Sequence, residues 1–285
     1  MRARQRGESH SDRAQYGDRD PFRMKQARAL RRTAGGLPLR ALIPNAITAL
    51  ALCSGITGIR YAISGDWERA ALAIIFAAVF DVLDGRVARM LRGTSRFGAE
   101  LDSLSDMVAF GVAPAVIIFL WSLQKTPSLG WMAALAYAVS CALRLARFNA
   151  QLDAEDGTYK SAGFLTGVPA PGGAGIALIP LFVDLAAHNW PMTGTLQSWI
   201  KLPFISMFCL FLSAFLMIAA LPSWSWRIFR IPVRWRLVAL LFIALTFGAL
   251  FSQPWETLSI IAIAYLLSIP LAWFRYAQLQ ARRRS

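Results

Sequence analysis

The chain has 285 residues, of which 56% are hydrophobic and only 16% charged, against roughly 25% charged in soluble domains. Its net charge is +14, yet the basic residues sit at the edges of long apolar runs rather than in one patch. This excludes an ordinary soluble globular protein and argues against nucleic acid as a partner, and it points to a membrane-embedded chain.

The first 36 residues are polar and arginine-rich, and a disordered cytoplasmic tail is expected there. Attachment to anionic headgroups is compatible with it, at about 1 kcal/mol per basic residue near the surface. The tail lacks an early apolar core, so a cleaved signal peptide is not expected. Eight helical spans are predicted, at about 42–64, 68–90, 98–123, 129–149, 163–187, 198–220, 235–251 and 255–274. The runs are of helix length and lack period-two alternation, which favours an all-α bundle over a barrel. With eight spans and a cytoplasmic N-terminus, 26 basic residues fall on the cytoplasmic side and four, Arg60, Arg69, Lys125 and Lys201, on the other. Both termini are therefore expected inside. Cys53, Cys141 and Cys209 lie in apolar runs without CxxC spacing and are expected to be buried thiols. His10 and His188 are the only histidines, and neither is placed for a metal site or a catalytic base. No internal repeat is evident.

Between the second and third predicted spans stands DVLDGRVARMLRGTSRFGAELDSLSD, residues 81–106. An aspartate at the centre of a spanning helix costs about 2.5–3.5 kcal/mol, so four of them require compensation. Asp81 and Asp84 are spaced i, i+3, and Asp102 and Asp106 i, i+4. Each pair shares a helical face, and the short connection makes the two helices antiparallel neighbours. Four converging carboxylates repel one another unless one divalent cation, or two, lies among them. Oxygen-only ligands suit Mg²⁺ or Mn²⁺, and Mg²⁺ commonly binds through carboxylates together with substrate phosphates. A diphosphate-bearing substrate follows. Gly85, Ala88 and Gly98 leave room against the backbone, and Arg89 offers a planar cation to phosphate. Taken singly, each element has a plainer explanation: Gly85 as a helix cap, an aspartate–arginine ion pair, small residues at a helix contact. In this order and spacing they point to one site.

The pattern Asp81-x2-Asp84-Gly85-x2-Ala88-Arg89-x8-Gly98-x3-Asp102-x3-Asp106 resembles the signature of the CDP-alcohol phosphatidyltransferases at every fixed position. The resemblance implies an integral membrane enzyme that moves a phosphatidyl group from CDP-diacylglycerol to an alcohol and releases CMP. It implies metal ligation by Asp81, Asp84 and Asp102. Asp106 is similar to the general base and is expected to touch metal as well. It also places Gly85, Ala88 and Arg89, with Gly98, around the CDP-lipid. PNAIT, residues 44–48, resembles the PN-x-x-T start of the family's first helix, so Asn45 and Thr48 are expected near the nucleotide. Mg²⁺ or Mn²⁺, in two copies, is the expected cofactor. A homodimer in the bacterial inner membrane, with its site facing the cytoplasm, is the expected setting. The expected organisation is a tail at 1–36, a catalytic core at 37–190, additional helices at 191–276 and a basic tail at 277–285.

Two further stretches bear on the acceptor. LRLARFNAQ, residues 143–151, and FLTGVPAPGGAG, residues 164–175, resemble the RLARFN and GLPxP patterns of bacterial membrane-embedded phosphatidylserine synthases, with Val168 in place of Leu. The resemblance implies L-serine as acceptor, with Arg144, Arg147 and Asn149 as acceptor-binding residues. The residues alone leave this open. Both arginines also satisfy the positive-inside rule, and the phosphate of glycerol 3-phosphate would suit them too; choline and inositol are further alternatives. The Pro and Gly content of 164–175 predicts an irregular helix start lining a cavity. An intramembrane prenyltransferase would need a second acidic motif, which Asp153, Glu155 and Asp156 do not form. A cation-coupled transporter would show related halves, and none are seen.

Overall fold

The computed structural model describes residues 39–91, 95–153, 165–187, 198–219, 222–223 and 235–284. The N-terminal tail, His10 and His188 lie outside them.

The chain opens with α1 (Leu39–Ile63) and α2 (Trp67–Met90), an antiparallel hairpin. Gly65, with φ of +76°, makes the turn, a backbone that side-chain-bearing residues rarely adopt. Asp66 then caps α2: its carboxylate accepts from the Arg69 amide at 3.1 Å and pairs with the Arg69 guanidinium at 3.0 Å. This satisfies an otherwise orphaned N–H and sets a negative charge at the positive end of the helix. Gly58 lets the two helices close, since a Cβ there would lie 3.2 Å from the Ala70 carbonyl oxygen.

A continuous helical rod follows: α3 (Arg96–Asp106), a π-helical segment (Met107–Val112) and α4 (Ala113–Ser122). Ser95 caps it by accepting from the Gly98 amide at 3.0 Å. After a 3₁₀ turn the chain returns as α5 (Pro127–Asp153). The rod and α5 pack through small residues. Ala109, Ala113 and Ala133 are fully buried, and a Cβ on Gly55 of α1 would lie 2.7 Å from the Ala109 Cα. Such contacts are how helices associate where lipid removes the hydrophobic drive. At their centre the buried Tyr137 hydroxyl donates to the Phe110 carbonyl, inside the π segment, at 2.7 Å.

The remaining helices are α6 (Ala170–Ala177), α7 (Ile179–Ala187), α8 (Pro203–Ile218), α9 (Arg236–Ser252) and α10 (Pro254–Arg284). α6 and α7 form one apolar stretch bent by 47°, with the break at Leu178, two residues before Pro180, which removes an N–H from the helical ladder. The irregularity expected at 164–175 is present as an extended approach, with Pro169 at the N-cap of α6; the sharper bend comes later. α8 packs on α5 and α6, and α10 on α6 and α7. α9 buries none of its residues.

Helices thus occupy all eight predicted stretches, and the all-helical class holds. One element outside it is a two-residue antiparallel ladder, β1 (Leu165–Thr166) with β2 (Pro222–Ser223). The span count is narrower than expected. Leu42–Ile63, Arg96–Lys125 and Pro127–Ala150 are each long and apolar enough to cross a bilayer, and the bent α6–α7 pair makes a possible fourth. α8, α9 and the first part of α10 are apolar but shorter. α2 has the length, but Asp81, Asp84, Arg86 and Arg89 in its second half lower its hydropathy. Of the three cysteines expected to be buried, Cys141 is, Cys209 is partly so, and Cys53 is exposed. Cys53 shares α1's outer surface with the exposed Ile56.

Candidate active site

Three helices supply the carboxylates and the residues around them. The second half of α2 carries Asp81 and Asp84, α3 carries Asp102 and Asp106, and the start of α1 crosses behind both. Asp81, Asp102 and Asp106 converge: each offers a carboxylate oxygen within 4.8 Å of the others. Asp84 stands apart from this triad. It lies within electrostatic reach of Asp81 and Asp102, but it is buried and its Oδ2 accepts from the Thr48 hydroxyl at 2.6 Å. The four acids therefore form a cluster of three plus an anchored fourth.

Asp84 and Asp102 also border a cavity of about 480 Å³. Its wall contains Asn45, Thr48, Gly85, Ala88, Arg89 and Gly98, all the residues expected around the CDP-lipid. Gly85 fronts open space, with nothing nearer its missing Cβ than the Arg89 Nη1 at 3.8 Å. Gly98 stands in the same wall, close to Asn45. A Cβ there would lie 2.9 Å from Asn45 Oδ1, so the glycine admits the neighbouring asparagine rather than only a ligand. The Asn45 Nδ2 is buried without a hydrogen-bond partner among the described residues. A buried donor left in that state is costly, and its presence in the cavity wall marks a place where a ligand acceptor would offset the cost.

Thr48 is the pivot between the helices. Besides holding Asp84, it accepts through its backbone carbonyl from the Ser105 hydroxyl at 3.1 Å, which ties α1 to α3. Thr48→Val keeps the shape and removes the donor to Asp84. We expect a loss of about 1–3 kcal/mol of stability, the cost of a buried acceptor left unpaired, together with weaker CDP-lipid binding. Thermal unfolding in detergent and a CDP-diacylglycerol titration check the two effects separately.

The residues expected to bind the acceptor all lie on α5 but separate in space. Arg144 faces the carboxylates: it is within electrostatic reach of Asp81 and Asp106, and its Nε is buried without a hydrogen-bond partner among the described residues. Arg147 points elsewhere, donating to the carbonyls of Ile218 at 3.0 Å and Met217 at 3.5 Å. It caps the C-terminal end of α8, where unpaired carbonyls and the helix dipole favour a cation. Asn149 donates to the Ser103 hydroxyl at 2.9 Å and so fastens α5 to α3 beside Asp102.

Sequence reasoning missed three contributors. Ser95 lines the cavity as well as capping α3, and its S-x-x-G spacing at a helix start was a usable signal. Ser103 had no signal of its own. The π-helical segment beginning at Met107 directly after Asp106 was likewise invisible. Such widened turns recur at functional sites.

Residues 41–211 match the family model described as CDP-alcohol phosphatidyltransferase, and residues 234–270 match a second model, CDP-alcohol phosphatidyltransferase 2. The chain is 38% identical over 235 residues to a CDP-diacylglycerol--serine O-phosphatidyltransferase of Mycobacterium leprae, covering 81% of this chain and 74% of that protein. The Mycobacterium bovis protein of the same name is 36% identical, with 81% and 78% covered. That of Helicobacter pylori is 30% identical, with 81% and 91% covered.

Proposed function

The chain belongs to the CDP-alcohol phosphatidyltransferase family, and on that footing we propose that it transfers the phosphatidyl group of CDP-diacylglycerol to L-serine, forming phosphatidylserine and releasing CMP. The relatives' shared activity supports the reaction. The single structural observation that carries the acceptor is Arg144, a guanidinium with an unpartnered buried Nε beside Asp106.

The site's donor set fits a hard cation: it is all oxygen, anionic and convergent. Bound by Asp81, Asp102 and Asp106, with Asp84 completing the set, Mg²⁺ or Mn²⁺ in one or two copies would neutralise the diphosphate and stabilise the departing CMP. The chain's own residues do the rest. Asn45, Thr48, Ala88 and Arg89 hold the CDP moiety in the cavity, with Gly85 and Gly98 leaving the space. Arg144 receives the serine carboxylate. That pairing brings the serine hydroxyl to Asp106, which takes its proton as the oxygen attacks the phosphatidyl phosphorus. A new P–O bond forms to serine, and the P–O bond to CMP breaks. No covalent enzyme intermediate is needed.

In this proposal the eight helical stretches predicted from the sequence span the bacterial inner membrane, both termini are cytoplasmic, and the site opens to the cytoplasm, where serine and CMP exchange. Residues 37–190 form the catalytic core and 191–276 the additional helices, flanked by basic tails at 1–36 and 277–285. The protein functions as a homodimer among membrane lipids.

The test is purified enzyme with CDP-diacylglycerol and Mn²⁺ or Mg²⁺, offered L-serine, glycerol 3-phosphate, inositol or choline separately. CMP release with serine alone, together with labelled phosphatidylserine, is the expected result. Product only from another alcohol would refute the acceptor assignment. Transport of a solute in proteoliposomes without CMP release would refute the enzyme.

A further inference from the structure

Directly after Asp106 the rod stops being α-helical. Met107–Val112 are π-helical, and the Ala113 amide donates to the Val108 carbonyl, five residues back. Pro114, fully buried just beyond, accounts for the wider turn. It carries no N–H, and in a regular helix its ring would crowd the carbonyl four residues earlier. That carbonyl belongs to Phe110, which therefore has no α-helical donor. A donor comes from another helix instead: the Tyr137 hydroxyl of α5, at 2.7 Å. Phe110 and Tyr137 are both fully buried, where an unmade hydrogen bond is costly.

The same face of α5 follows the rod toward the carboxylates. Cys141, one turn after Tyr137, lies against Gly111, where a Cβ would stand 3.1 Å from the Cys141 Cβ and 3.3 Å from the Met107 Sδ. Glycine there lets the widened turn rest on α5. Two turns further on, the Asn149 amide donates to the Ser103 hydroxyl at 2.9 Å. Hydrogen bonds from α5 thus bracket Asp106 along the rod, one three residues before it and one four residues after.

We propose that Tyr137 is a positioning residue: by holding the π-helical turn on α5, its hydroxyl fixes the Asp106 carboxylate for proton abstraction from the acceptor alcohol. The inference rests on the proposed role of Asp106 as base. Asp106 is the last residue of α3 and is joined directly to the first π-helical residue, so loosening of the turn moves its carboxylate. The Asn149 contact restrains only the side before it. Asp102 lies one turn earlier, beside that contact, and is less affected. The loss therefore falls on proton transfer rather than on diphosphate binding.

Tyr137→Phe keeps the ring and removes the hydroxyl. In full-length enzyme kcat should fall roughly 10–100-fold, the scale of a misplaced reacting group, with the KM values for CDP-diacylglycerol and L-serine unchanged. In metal-free, substrate-free enzyme, amide hydrogen exchange across residues 107–113 should quicken about tenfold, the scale of one lost hydrogen bond. The sharpest comparison is made on Asp106→Asn. With the base gone its placement no longer matters, so adding Tyr137→Phe should leave the residual CMP release unchanged, whereas a merely structural residue lowers both backgrounds by the same factor. Wild-type kcat in Tyr137→Phe, unaltered exchange at 107–113, or equal losses on the two backgrounds each overturns the proposal while the base assignment stands. Turnover near wild type in Asp106→Asn alone overturns the base assignment, and this inference with it.

Discussion

Asp106→Asn is expected to reduce turnover by roughly 10²–10⁴-fold, the range contributed by a positioned general base, while CDP-diacylglycerol still binds. A serine hydroxyl is a poor nucleophile at neutral pH, and its proton must leave as the phosphorus–oxygen bond forms. Asp106 is well placed to take it: it ends α3, it belongs to the converging triad, and Arg144 lies beside it. Asparagine preserves the shape but accepts no proton. Asp102, one turn earlier on the same face, and Asp81, across on α2, remain to hold the diphosphate side. Single-turnover CMP release measured against equilibrium CDP-diacylglycerol binding separates the two effects. Turnover near wild type would remove Asp106 from the role of base.

Cation removal should be at least as severe. Chelation by EDTA is expected to abolish CMP release, and Mn²⁺ or Mg²⁺ to restore it. Asp81→Asn should lose roughly 10²-fold or more of activity, because several kcal/mol of charge stabilisation at the diphosphate depends on the cation. The direction follows from the acid cluster. Three carboxylate oxygens within 4.8 Å of one another are mutually repulsive without a counter-charge, which Arg144, within electrostatic reach of Asp81 and Asp106, supplies in part. Asp84→Asn should lose less of its cation dependence than Asp81→Asn, since Asp84 is anchored by Thr48 and stands outside the triad. Metal titrations of CMP release distinguish these cases. Full activity in EDTA would contradict the metal assignment, and equal losses in the two variants would contradict the division of the four acids.

Much of this site was legible from residues 81–106. Aspartates three and four positions apart share a helical face whatever surrounds them, and a connection of a few residues forces the two helices to be antiparallel. The acids therefore had to meet, and apolar runs of 17 to 26 residues had to be helices, because a backbone in lipid must satisfy its own hydrogen bonds. These are properties of one or two turns of chain, and a sequence carries them openly.

Packing settled what local spacing left open. Arg144 and Arg147 are equivalent in sequence, one turn apart on α5, yet one faces the carboxylates and the other caps α8 through a carbonyl 71 positions away. Asp84 resembles its three companions until Thr48, 36 positions earlier, takes its oxygen. Gly98 serves Asn45, and Gly172 serves Tyr265, through contacts that no spacing rule encodes. Periodicity determines which face of a helix a residue occupies; what that face meets depends on how distant helices close on one another, and only the assembled bundle decides it.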